Sequence, residues 1–174
     1  MKKVTIALFT LVVLLASSCK KDSTGSATGV AGVMTADNYG FDGGSSGKYS
    51  SAATGIVQTT AGGFPTFTVS GIRDGGTESI SIVLLKNITA TGTIKIGPDL
   101  DNGGIIIRKD YQNVSDQTKS YSTDNSGGST KGGGEIVITK LDGKIVEGTF
   151  YFVAFNSAGK EAFAENGAFK GTIN

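Results

Sequence analysis

Beyond about residue 29, apolar side chains recur at every second position, the period of a strand that buries one face. In "ESISIVLLK" (78–86), Ile80, Ile82 and Leu84 share one side, and Ser79 and Ser81 share the other. "GTIKIG" (92–97) pairs Ile94 with Ile96, and "GEIVITKL" (134–141) pairs Ile136 with Ile138. "FPTFTVSGI" (64–72) continues the pattern through Phe67 and Val69, and "GIIIRKDY" (104–111) begins apolar and ends polar. In "VEGTFYFVAF" (146–155), Gly148, Phe150, Phe152 and Ala154 fall on one face and Thr149, Tyr151, Val153 and Phe155 on the other. The second face is itself apolar. Large exposed apolar patches are uncommon, so Tyr151, Val153 and Phe155 are expected to be covered rather than to form a patch that faces a partner.

Turn residues separate these segments. Asp74-Gly75-Gly76 divides two of them, and Asp142-Gly143 carries the dipeptide that supplies the positive φ angles of a tight hairpin. Residues 134–141 and 144–155 are therefore predicted to form an antiparallel pair. "SAGKEAFAENG" (157–167) has the local propensity of a short helix, with Ser157 as N-cap and Gly167 beyond its end. An isolated helix of that length is marginal in water. Asn156–Gly159 also makes a good turn, so a strand continuing through Phe169 is the preferred reading. Residues 112–133 form a long polar segment that is either disordered or a binding loop, with one short edge strand around 120–122. The pattern predicts an all-β fold, an antiparallel β-sandwich or flattened β-barrel of about eight to ten strands, occupying residues 29–174 as a single β domain.

The first residues follow a different pattern. Met1-Lys2-Lys3 is a positive head, Val4–Ala16 is an uncharged run of 13 residues, and Ala16-Ser17-Ser18 is a patch of small residues. That is the layout of a secretory signal peptide. A permanent span needs about 20 apolar residues. The patch ends at Cys19, the only cysteine of the chain, so no disulfide can form within it. The order of charge, apolar run, small residues and cysteine resembles a bacterial lipoprotein signal. The resemblance implies that residues 1–18 are removed, that Cys19 is lipidated and becomes the first mature residue, and that palmitate is among its acyl chains. Residues 19–28 read as a flexible tether. Within it, Asp22-Ser23-Thr24 resembles the short O-glycosylation sequon of Bacteroidota, with Ser23 as acceptor.

Composition narrows the classes further. Removing residues 1–18 takes away Lys2 and Lys3, leaving 16 − 2 = 14 basic residues against 15 acidic ones over 156 residues. Such a balance gives no basic face, and nucleic acid is not an expected partner. All 27 glycines lie after the signal, 27 of 156 or about 17%, against an average near 7%. Set between alternating segments, they read as turns.

The C-terminal part carries the pattern G-x-I-x-I-T-K-L-D at Gly134–Asp142, G-T-F-x-F at Gly148–Phe152 and N-G-x-F at Asn166–Phe169, with "GTIKIG" upstream. It resembles a family of Bacteroidota lipoproteins of unknown function. These motifs are strand alternation plus glycine. The resemblance implies an exported all-β lipoprotein at the outer membrane and brings no catalytic residues.

Candidate chemistry is sparse. The chain has no histidine, so the usual triads lack their base. A zinc site lacks His or Cys ligands once Cys19 is lipidated. No G-x-S-x-G elbow or P-loop is present. The glutamates Glu78, Glu135, Glu147, Glu161 and Glu165 show no paired-carboxylate signature of a glycosidase. "DLDNGG" (99–104) brings Asp99 and Asp101 close, with Asp110 further on, a weak calcium candidate; ordinary turn chemistry explains the same residues. Tyr39, Phe41, Tyr49, Tyr111 and Tyr121 lie near loops, and Tyr111 and Tyr121 are weak candidates for stacking on a ligand. The expected function is that of a non-enzymatic lipoprotein of the cell envelope. It would be held to the membrane by acyl chains on Cys19, need no cofactor, and either bind a partner, a glycan or an envelope protein, or fill a structural role. A lipocalin-like barrel around a small apolar ligand is the alternative, and a glycan-active enzyme the third reading.

Overall fold

The computed structural model describes residues 32–174. The signal at 1–18, Cys19, Ser23 and the tether lie outside the described residues. Twelve strands follow: β1 (Gly32–Phe41), β2 (Gly44–Ala61), β3 (Phe64–Ile72), β4 (Ser79–Leu84), β5 (Gly92–Ile96), β6 (Gly103–Arg108), β7 (Ser120–Ser122), β8 (Ser126–Gly127), β9 (Thr130–Lys131), β10 (Gly133–Asp142), β11 (Ile145–Phe155) and β12 (Glu161–Thr172). A 3-10 turn, Gln117–Lys119, precedes β7.

The strands close on themselves. The antiparallel order β12-β1-β2-β3-β4-β6-β7-β11 returns to β12, which makes an eight-stranded barrel and fulfils the barrel branch of the sequence expectation. Closure removes the free edges that an open sheet must protect. The closing strand forks. Ile145–Val153 of β11 pairs with β10, which carries β5 on its far side, and only Phe155 at the end of β11 pairs with Ser122 of β7. The short strand expected at 120–122 therefore exists, but it is a bridge between β6 and β11 rather than an edge.

The pairing of β10 with β11 is as predicted, with Asp142 opposite Ile145 and Gly143 at φ +57° in the turn. Residues 161–172 are strand. Asn156 decides this locally: its side-chain oxygen accepts from the amides of Ala158 and Lys160 at 3.0 and 2.9 Å, and its amide donates to the Thr118 carbonyl at 2.6 Å. That turn reverses the chain where a helix would have had to start. Residues 112–133 are ordered by similar means. Asp116 accepts from the amide and hydroxyl of Thr118, and Asn125 donates to the Phe155 carbonyl at 2.9 Å. Polar side chains there satisfy backbone groups that a packed loop would otherwise leave bare.

The interior is filled by side chains. Met34, Tyr39, Tyr49, Phe67, Tyr121 and Phe152 are each at most 1% exposed, among inward isoleucines of β4, β6 and β10. At the end formed by the 42–43, 73–78, 109–119 and 156–160 loops, aromatic rings make a plug. Tyr39 and Tyr49 meet edge to face at 5.6 Å, and Phe41 and Tyr121 lie 5.3 Å apart. Lys109 sits 5.0 Å over Phe41 and Arg73 5.2 Å over Tyr39, a favourable placement for a cation.

Tyr49 ties three strands together. Its hydroxyl donates to the Gly71 carbonyl at 2.6 Å and accepts from the Ile80 amide at 3.3 Å. Burial pushes this phenol well above its ordinary pKa, so it stays a donor throughout the physiological range. Tyr49→Phe keeps the ring and strands both backbone partners. The expected loss is about 1–3 kcal/mol, read as a lower urea midpoint at unchanged slope. An unchanged midpoint would show that the hydroxyl carries no stability.

Candidate groove on the outer wall

The outer wall of β10, β11 and β12 carries a depression of about 630 Å³, lined by Glu135, Val137, Thr149, Tyr151, Glu165, Asn166 and Ala168, with Phe150 and Gly167 at its floor. Strand alternation accounts for the floor and the rim. Phe150 and Gly167 face the core, whereas Thr149, Tyr151, Glu165, Asn166 and Ala168 point outward and are exposed.

Irregularities in the ladder shape the wall. From Phe150/Gly167 to Phe152/Ala164, β11 advances two residues and β12 three, so Glu165 and Asn166 together oppose Tyr151. Asn166 adopts φ +49°, a left-handed conformation that asparagine tolerates better than most residues. In β1 the same level holds a second bulge, where Asp37 and Asn38 face Lys48 of β2. Bulges bend a strand and re-aim its side chains. Here they turn Glu165 toward Asn38, whose amide donates to the Glu165 carboxylate at 2.9 Å, and Ser45 donates to Asn38 at 2.6 Å.

One row of side chains crosses the wall. Lys95 of β5 is opposite Glu135 of β10, Glu135 is opposite Tyr151 of β11, and the Glu165–Asn166 bulge comes next, followed by Asn38 of β1. Neighbouring strands lie about 4.8 Å apart, so the row alternates hydrogen-bonding groups around a central aromatic ring. Tyr151 is 54% exposed. This corrects the expectation that the outer stripe of the strand is covered: Phe155 is buried, Val153 is half-buried, and Tyr151 stands in the open. The stripe breaks because only the end of β11 is overlaid by the 112–133 segment, where the β8–β9 hairpin brings Gly127 against the Phe155 ring.

The other candidate residues are placed elsewhere. Tyr121 is a core residue, 1% exposed, and its hydroxyl donates to Asp42 at 3.2 Å, so it offers no outward ring for stacking. Tyr111 is half-buried on the 109–119 loop, its hydroxyl accepting from Gln112 at 3.3 Å and its amide donating to Thr77. Asp99 and Asp101 precede β6 and Asp110 follows its far end, which separates them by the length of that strand. Asp99 pairs with Lys131 at 2.5 Å, and Asp110 lies 3.9 Å from Lys119. The calcium candidate is thus not assembled, and among the described residues no group of three or more His, Cys, Asp or Glu side chains is placed to hold a metal. At the plugged end, the hydrogen bond from Lys109, 2.6 Å long, holds the Asp42 carboxyl below the ordinary carboxylate range.

Fold and groove together define an all-antiparallel closed barrel with a filled interior, a forked seam and an open groove on its wall. The chain belongs to the DUF6252 family, a domain of unknown function, whose model matches residues 40–172. No curated protein and no solved structure matches it significantly. The matched span contains β2 to β12, the last two residues of β1 and all three C-terminal motifs.

Proposed function

We propose that the protein is a non-enzymatic lipoprotein of the bacterial cell envelope, anchored through Cys19 at the outer membrane, which binds a glycan in the groove on its outer wall. The observation that carries the binding role is Tyr151, an exposed ring between Glu135 and the Glu165–Asn166 bulge. An aromatic face packs against the apolar side of a sugar ring, and carboxylates and amides beside it accept and donate to hydroxyls. The two carboxylates of the groove, on β10 and β12, flank β11 on one open wall instead of facing each other from opposite sides, which suits binding rather than a reaction across a cleft. The filled interior favours this reading over a lipocalin-like carrier, which needs a ligand cavity of ~300 Å³ or more inside the barrel.

The test is binding of the purified protein to a panel of envelope and host glycans. Tyr151→Ala is expected to lower affinity by about tenfold or more, the scale on which an aromatic anchor is lost. The exposed position should leave the thermal midpoint within about 2 °C, the shift expected of a surface substitution. A ligand bound equally well by Tyr151→Ala would remove the groove from the account, and a protein partner captured through the same residue would replace the glycan.

A further inference from the structure

Six of the nine exposed large hydrophobic side chains among the described residues lie toward one end of the barrel. Val33, Val57, Phe64, Leu85, Leu100 and Ile145 are between 40% and 60% exposed. The topology puts them together: Val33 opens β1, Phe64 sits at the tip of the β2–β3 hairpin, Leu85 follows β4, Leu100 precedes β6 and Ile145 opens β11. Backbone bonds tie these segments at that level, Leu85 donating to Asn102 at 3.3 Å and Ile173 to Lys144 at 2.8 Å. The opposite end is different in kind. Its loops carry the Asp42–Lys109 and Arg73–Glu78 pairs and Lys119 between Asp110 and Asp116, and Ile72 and Val114 are its exposed large hydrophobics among the described residues.

The apolar end is also where the chain enters the barrel. Twelve residues, 20–31, separate Cys19 from Gly32, a length that spans at most roughly 40 Å. Lys86 follows Leu85 and Lys144 precedes Ile145, an arrangement in which the stems lie along apolar surface while the ammonium groups reach lipid phosphates. Asp101 and Asp142 lie at the same end and Asp99 is taken by Lys131, so apolar insertion rather than net charge distinguishes this surface.

We infer that this end of the barrel rests on the bilayer, with Phe64, Leu85 and Leu100 inserted at the headgroup level beside the acyl chains of Cys19. The inference rests on the reading of Cys19 as lipidated. Weak interfacial contacts become effective once an anchor holds the protein at the surface, because the second contact is then intramolecular. The barrel wall stands away from the bilayer, and the groove at Tyr151 opens to the aqueous phase.

The experiment uses the full-length protein purified from membranes and reconstituted into phosphatidylethanolamine–phosphatidylglycerol vesicles that contain a spin-labelled quencher lipid. Acylated Cys19 does not react with thiol probes, so Phe64→Cys, Leu100→Cys and Val114→Cys each carry a single environment-sensitive fluorophore. Labels at 64 and 100 are expected to shift to the blue and be quenched on reconstitution, and the label at 114 to do neither. Protein that floats with the vesicles but shows no quenching at 64 and 100 overturns the docked end and leaves the anchor in place. Protein that fails to float overturns the anchor and the docked end with it.

Discussion

Gly167→Val is expected to destabilise the barrel by about 3 kcal/mol, at the upper end of ordinary overpacking, and to lower the thermal midpoint by about 6–12 °C. A Cβ at position 167 would lie 2.5 Å from the Phe150 ring. That ring is 3% exposed and its neighbour Phe152 stacks 6.3 Å away, so it has little room to yield. The arrangement is reciprocal. Phe150 of β11 is opposite Gly167 of β12, Gly148 of β11 is opposite Phe169 of β12, and a Cβ at 148 would lie 2.5 Å from the Phe169 ring. Each ring covers the bare backbone of the facing strand, the same device by which aromatics compensate for glycines in sheets. The two substitutions at one crossing should therefore couple. Phe150→Ala alone is expected to cost about 3–5 kcal/mol, and the double variant less than the sum, because the valine enters the space the ring leaves. Strict additivity, or a Gly167→Val protein as stable as the parent, would contradict the interlock.

The interlock gives physical content to the pattern G-T-F-x-F … N-G-x-F. The glycine of each motif is the seat for the phenylalanine of the other, and the asparagine supplies the left-handed bulge. The elements of the motif were legible in the sequence; their cross-strand partners were not, because a register between strands is fixed by pairing and not by either strand alone. The same limit explains the rest. Alternation located β3, β4, β5, β6, β10 and β11, and the Asn156 turn located β12. Nothing in the alternation distinguishes a sandwich from a barrel, since both present one inward face. Closure depends on Ser120–Ser122, three residues in a polar stretch, meeting Phe155 at a single position. Tyr151 was correctly placed on the outer face of its strand, but its exposure depends on how far the 112–133 segment reaches along β11. Tyr121 failed as a ligand contact because short strands buried by closure look like loops in sequence.

The second large effect concerns the anchor. Cys19→Ala is expected to move the protein from the membrane fraction to the soluble fraction on dilution and repeated washing. Each buried methylene contributes about 0.8 kcal/mol, and a single myristoyl chain holds only marginally. Two or three long chains on one cysteine hold effectively permanently. The proposed contact of Phe64, Leu85 and Leu100 is reversible without the anchor, so dilution should release the variant even if it retains a measurable affinity for vesicles. A variant that stays with the membrane fraction to the same extent as the parent would show that something other than Cys19 holds the protein there.

The most direct measurement is mass spectrometry of the N-terminal peptide of the protein extracted from its native membrane. A peptide that begins at Cys19, carries a thioether-linked diacylglycerol and incorporates labelled palmitate is the predicted result. A mature chain that begins elsewhere, or that carries an unmodified thiol at Cys19, would contradict the assignment of this barrel to the envelope lipoproteins.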